Sequence, residues 1–137
     1  MNPLQANPKK VLVVDDEPNV VKYLEALLED HGYSTVAATN GNEALAMVES
    51  ANPDLICLDI TMPEKSGIRF YRELKEMPAY ANIPVIVVTA VTGYGNDPEP
   101  FREFLSTRSQ VPPPEGFIAK PIEQESFLET VASVLAA

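Results

Sequence analysis

The sequence predicts an α/β fold in which a five-stranded parallel sheet is covered by helices on both faces. Two short aliphatic runs followed by acid, Val11 to Val14 before Asp15 and Asp54 to Leu58 before Asp59, read as parallel strands buried on both sides. Apolar stripes at helical spacing stand between such runs, so strand and helix alternate along the chain.

Val11 to Val14 is the first strand. Val20, Leu24, Leu27 and Leu28 mark the first helix, with Pro18 suited to its first turn and Gly32 to its stop. Ser34 to Ala38 is the second strand, and Asn42 caps a second helix that runs through Ser50. Asp54 to Leu58 is the third strand, and Ile68, Tyr71 and Leu74 mark a third helix that stops before Pro78. Pro84 to Thr89 repeats the strand pattern without the acid, and Phe117 to Ala119 supplies the fifth strand. From about Gln124, residues Phe127, Leu128, Val131, Val134 and Leu135 place an apolar face on a closing helix. Right-handed crossovers turn this alternation into a flavodoxin-like three-layer sandwich with strand order 2-1-3-4-5.

Residues 92–116 break the pattern. They hold five of the 13 prolines, among them Pro112, Pro113 and Pro114, and offer one short helical candidate at Phe101 to Leu105. The expectation is a stiff surface segment inside the domain that replaces or shortens a helix between strands four and five. A chain of 137 residues holds one core rather than two ordinary domains, so residues 1–137 are expected to form a single domain with a tail at 1–9.

Composition excludes several classes of function. The net charge of -10, with basic residues scattered rather than striped, opposes direct nucleic-acid binding. No apolar run approaches the roughly 20 residues of a membrane span, and the start lacks a secretory stretch, so a cytoplasmic location is expected. Cys57 stands alone inside Leu55 to Leu58 and reads as a core thiol.

In open parallel sheets, ligands bind beyond the carboxyl ends of the strands, where the strand order reverses. Asp15 and Asp16 end strand one, Asp59 ends strand three, Thr89 ends strand four and Lys120 ends strand five. Each has an ordinary alternative: an acid at a helix start, a turn, a cap, a solvated lysine. Five such groups at the ends of four strands are a far less probable accident than any one of them. Three clustered carboxylates repel one another unless a cation lies between them, and an all-oxygen donor set favours Mg2+ or Mn2+ over zinc. A carboxylate beside such an ion and a lysine is suited to accept a phosphoryl group, with Thr89 placed to hydrogen-bond it; Asp59 is the expected nucleophile.

These residues lie in VLVVDDEP at 11–18, LICLDITMPEKSG at 55–67, VIVVTA at 85–90 and FIAKP at 117–121. With them the chain resembles, over essentially its whole length, the receiver domains of bacterial response regulators in two-component signalling, including chemotaxis regulators. The resemblance implies that Asp15 and Asp16 hold the metal with Asp59 and the backbone carbonyl of Thr61. It implies that Asp59 takes phosphate from a sensor histidine kinase or a histidine phosphotransfer protein, and that Lys120 contacts the phosphoryl group. Thr89 and Phe117 match the family's switch pair, Pro121 its cis peptide, and Pro63 and Gly67 its loop after the acceptor. The separation of 31 positions from Thr89 to Lys120 exceeds the family's usual spacing. The output surface beside that segment is therefore not carried over, and homodimerisation stays open.

The resemblance implies a switch that catalyses only its own phosphorylation and autodephosphorylation. Lacking an attached output domain, it is expected to signal through an unidentified downstream protein. An alternative is a receiver-like interaction module that is never phosphorylated, although its acceptor, acidic pair and lysine should then be incomplete. A flavin site lacks its Ser/Thr/Gly loop, an aspartyl phosphatase would need an acid where Thr61 stands, and a cobalamin domain would need a histidine motif that His31 does not supply.

Overall fold

A computed structural model of the chain describes residues 8–59, 66–90 and 114–136. The expectations for Thr61, for Pro63 and for nearly all of the proline-rich segment lie outside the described residues, as do the side chains of Ile68 and Thr89.

The described elements are β1 (Lys10–Val14), α1 (Pro18–Asp30), β2 (Ser34–Ala38), α2 (Gly41–Ala51), β3 (Leu55–Leu58), α3 (Ser66–Glu76), β4 (Val85–Ala90), β5 (Gly116–Lys120) and α4 (Gln124–Ala136). The strands form one parallel sheet in the order β2-β1-β3-β4-β5. The flavodoxin-like architecture expected of the sequence is the one observed.

Alternation along the strands explains why both faces are apolar. Leu12, Val14, Ile56, Leu58, Val85 and Val87 point to one side, where α2 and α3 cover them with Ala44, Val48, Phe70, Tyr71 and Leu74. Val11, Val13, Leu55, Cys57, Ile86 and Val88 point to the other, against Val21, Leu24, Leu27 and Leu28 of α1 and Phe127 and Val131 of α4. Each fully buried Leu, Ile, Val or Phe contributes roughly 1.5–3 kcal/mol. The two half-cores therefore supply the stability that lets charged groups be buried at one edge.

Helix boundaries follow local chemistry. Pro18 opens α1, where its missing N–H costs nothing, and Gly32 ends the turn with φ 91°, a conformation that strains any residue with a Cβ. The cap of α2 is Asn40 rather than Asn42. The Asn40 side chain accepts from the Glu43 amide at 2.8 Å, while the Glu43 carboxylate accepts from the Thr39 amide at 2.7 Å. This reciprocal box needs a polar residue three before Glu43, a spacing that Asn42 does not meet. After α3, the Lys75 ammonium donates to the carbonyls of Ala81 and Ile83 and secures the turn into β4. Glu115 then pins the start of β5: its carboxylate accepts from the Val85 amide at 2.7 Å and its own amide donates to the Val85 carbonyl.

Candidate functional site

The register of β1 and β3 sets two acids side by side. Val14 pairs with Leu58, so the next residues, Asp15 and Asp59, leave the sheet together at its carboxyl edge. The ladder extends to hold them: the Asp59 amide donates to the Val14 carbonyl at 2.9 Å and the Asp15 amide to the Ala38 carbonyl at 3.1 Å. In the order β2-β1-β3 the winding reverses at this pair of strands, which opens a crevice above their ends. Asp15 is 2% exposed and Asp59 3%, the two buried acids among the described residues. Asp16, one step further along the chain, is exposed.

Lys120 reaches this edge from β5. Its ammonium lies 2.9 Å from Asp15 Oδ2, 3.6 Å from Asp59 Oδ2 and 3.6 Å from Glu17 Oε1. The side chain is 15% exposed, so its methylene stem is covered while its head faces three carboxylates. Asp15 also accepts from the Glu17 amide at 3.0 Å, which ties the acid to the start of α1.

The electrostatics are unequal. Burial pushes the Asp15 carboxyl above its ordinary pKa; the Glu17 amide and Lys120 pull it down, and the field of Asp59 adds to the rise. Burial alone would lower Lys120, but its hydrogen bond to Asp15 and the fields of Asp59, Asp15 and Glu17 outweigh it and raise the pKa. The two buried acids thus repel each other even with the ammonium beside them. Carboxylate oxygens of Asp15, Asp16 and Asp59 all lie within 4.8 Å of one another. Such a hard, all-oxygen set of two buried acids and one open to solvent suits a divalent ion of the magnesium class that keeps part of its water.

Asp15, Asp16, Asp59 and Lys120, which the sequence singled out, therefore meet at one edge. Thr89 pairs with Ala119 in the β4–β5 ladder, one position before Lys120, so its backbone belongs to the same edge. Phe117 pairs with Val87, and the residue is 37% exposed. The Lys120–Pro121 peptide is cis, as the resemblance implied. Glu17 was missed. The only signal for it in the sequence was its place directly after the acidic pair, because its contact with Lys120 spans 103 positions.

Two residues stand apart from this chemistry. Cys57 is buried in the sheet, and burial pushes its thiol up to about 12. His31 caps the end of α1, with its ring Nδ1 3.0 Å from the Leu27 carbonyl. No described helix is long and apolar enough to cross a membrane.

Known proteins share both sequence and architecture. The polar-differentiation response regulator DivK of Brucella anthropi is 38% identical over 128 residues, covering 93% of this chain and 97% of DivK. Protein PilH of Pseudomonas aeruginosa is 32% identical over 127 residues, covering 93% of this chain and 98% of PilH. The chemotaxis response regulator CheY4 of Vibrio cholerae superposes with a TM-score of 0.78 at 28% identity, covering 93% of this chain and 99% of CheY4. The signal receiver domain of a histidine kinase from Syntrophus aciditrophicus superposes with a TM-score of 0.77 at 33% identity, covering 93% of this chain and 90% of that one. The family model described as the response regulator receiver domain matches residues 11–132, from the first buried residue of β1 into α4. The chain therefore belongs to the response regulator receiver domains, the signalling domains of two-component systems.

Proposed function

We propose that the protein is a phosphorylation-activated switch in which Asp59 accepts a phosphoryl group from a phosphohistidine. The donor is a sensor histidine kinase or a histidine phosphotransfer protein, and residues 1–137 act as one cytoplasmic receiver unit. The observation that carries this reading is the pairing of two buried carboxylates, Asp15 and Asp59, with the Lys120 ammonium 2.9 and 3.6 Å away.

In the proposed step an Asp59 carboxylate oxygen attacks phosphorus. A P–O bond forms, the P–N bond breaks, and the imidazole nitrogen keeps the electron pair of the broken bond. Burial strips water from the Asp59 carboxylate, and Lys120 offsets the negative charge carried by the transferring group. Asp15, Asp16, Asp59 and the Thr61 carbonyl would hold Mg2+ or Mn2+, which would supply further positive charge to the transferring group.

The Thr89 hydroxyl then donates to a phosphoryl oxygen, and the Phe117 ring follows it between exposed and buried positions. This gives two states that a downstream protein can distinguish. Attack of water on phosphorus breaks the bond to the Asp59 oxygen, releases inorganic phosphate, restores the carboxylate and resets the switch. An interaction module that is never phosphorylated is the poorer reading, because the acids and the lysine that such a module does not need are assembled at one edge.

Transfer of radiolabel from a histidine-phosphorylated phosphotransfer protein, followed by peptide mapping, tests the assignment. Label on the peptide containing Asp59 supports it, and label elsewhere refutes it.

A further inference from the structure

Glu17 is the acid in this pocket to which the proposed phosphotransfer gives no role. Its backbone is held on both sides. The amide donates to Asp15 Oδ1 at 3.0 Å, and the carbonyl accepts from the amides of Val20 and Val21 in the first turn of α1. Its position is that of the helix N-cap, yet its side chain makes no capping hydrogen bond. The carboxylate instead turns toward Lys120, with Oε1 3.6 Å from the ammonium. Lys120 is thus shared between Asp15, Asp59 and a third acid that is neither buried nor needed to cap the helix.

We propose that Glu17 is a positioning residue that restrains phosphorylation: it competes with the incoming phosphate for the Lys120 ammonium and repels the anionic donor. The inference rests on Asp59 being the phosphoacceptor. Two effects act in the same direction. A phosphoryl group on Asp59 needs the ammonium that Glu17 helps hold in the resting pocket, and its own negative charge lies within reach of the Glu17 carboxylate. The side chain is 65% exposed, so water and salt screen both effects. The restraint is therefore modest, roughly two- to fivefold, the range for an exposed ion pair. Both effects oppose approach and binding of the donor, so they are read in the donor concentration needed for half-maximal rate.

The test compares wild type, Glu17→Gln and Glu17→Asp for phosphorylation by acetyl phosphate at saturating Mg2+. Mg2+ affinity is measured separately by calorimetry without donor. Glu17→Gln should lower the half-saturating acetyl phosphate concentration roughly two- to fivefold at low ionic strength, and the gap should close at about 0.5 M salt. Glu17→Asp, which keeps the charge, should stay close to wild type, and Mg2+ affinity should change by less than about twofold.

Indistinguishable half-saturation in wild type and Glu17→Gln at low salt overturns the inference. So does a shift that persists at high salt together with a lower melting temperature, which would mark a defect at the start of α1. A tenfold or greater loss of Mg2+ affinity also overturns it, by making Glu17 a metal ligand. A wild type that takes no label removes the Asp59 reading as well, whereas a labelled wild type matched by Glu17→Gln removes this inference alone.

Discussion

The Lys120 ammonium donates to Asp15 Oδ2 at 2.9 Å, joining residues 105 positions apart. Each end has further partners: the Glu17 amide donates to Asp15 at 3.0 Å, and Asp59 and Glu17 each lie 3.6 Å from the ammonium. Asp15 is buried beside Asp59, and Lys120 brings its charge from β5 to the ends of β1 and β3. Among the described residues one ammonium thus faces three carboxylates, and under the proposed function a bound cation would offset the remaining negative charge.

Lys120→Ala should destabilise the metal-free protein. Removing one partner from a fully buried ion pair costs about 3–5 kcal/mol. Lys120 is partly open to solvent, so a loss of about 1–3 kcal/mol is expected, read from urea denaturation in EDTA. Millimolar Mg2+ should recover most of it, because an ion that binds only the folded state replaces the missing positive charge. Unchanged stability in EDTA would show that the acids do not depend on Lys120.

Asp15→Asn tests the cost of the buried acid. The folded Asp15 carboxyl is raised, by burial first and by Asp59 as well. A raised carboxyl contributes stability that is complete below its unfolded pKa and is lost as pH rises through its folded pKa. In EDTA, Asp15→Asn should therefore gain on wild type as pH rises above about 4, the ordinary value of the group. With Mg2+ present the order should reverse, because the variant lacks a ligand. Denaturation curves at several pH values decide it: a wild type that gains on the variant in EDTA as pH rises would mean that Lys120 and the Glu17 amide more than offset the burial.

Cys57 should behave as core. With its thiol pushed up to about 12, the native protein should not react with a disulfide reagent at about pH 8 and should titrate one equivalent once unfolded in urea. A raised thiol contributes stability that is present below its unfolded pKa and lost above it. The stability advantage of wild type over Cys57→Ala should therefore shrink as pH rises beyond about 9. Rapid native labelling would place the thiol at the surface.

What was legible in the sequence is what local pattern controls. Aliphatic runs stopped by Asp15 and Asp59 announced strands buried on both faces, and the rule for parallel sheets then located the site. Pattern did not separate Asp15 from Asp16: one is buried and the other exposed because the chain leaves the sheet between them. The sequence reading placed the cap of α2 at Asn42, whereas the Asn40–Glu43 spacing carries the capping signal. Phe70 was missed because it falls beside the Tyr71 stripe, yet the closely packed α2 and α3 bury both. The Glu115 pin and the Glu17–Lys120 contact join residues 30 and 103 positions apart, and no periodicity reports such distances.

The most direct test of the central claim is intact mass after incubation with acetyl phosphate, with and without Mg2+, for wild type and Asp59→Asn. Nucleophilic attack by Asp59 predicts a gain of about 80 Da in wild type that requires Mg2+ and is absent from the variant. A gain retained in Asp59→Asn, or none in wild type despite measured Mg2+ binding, would contradict it.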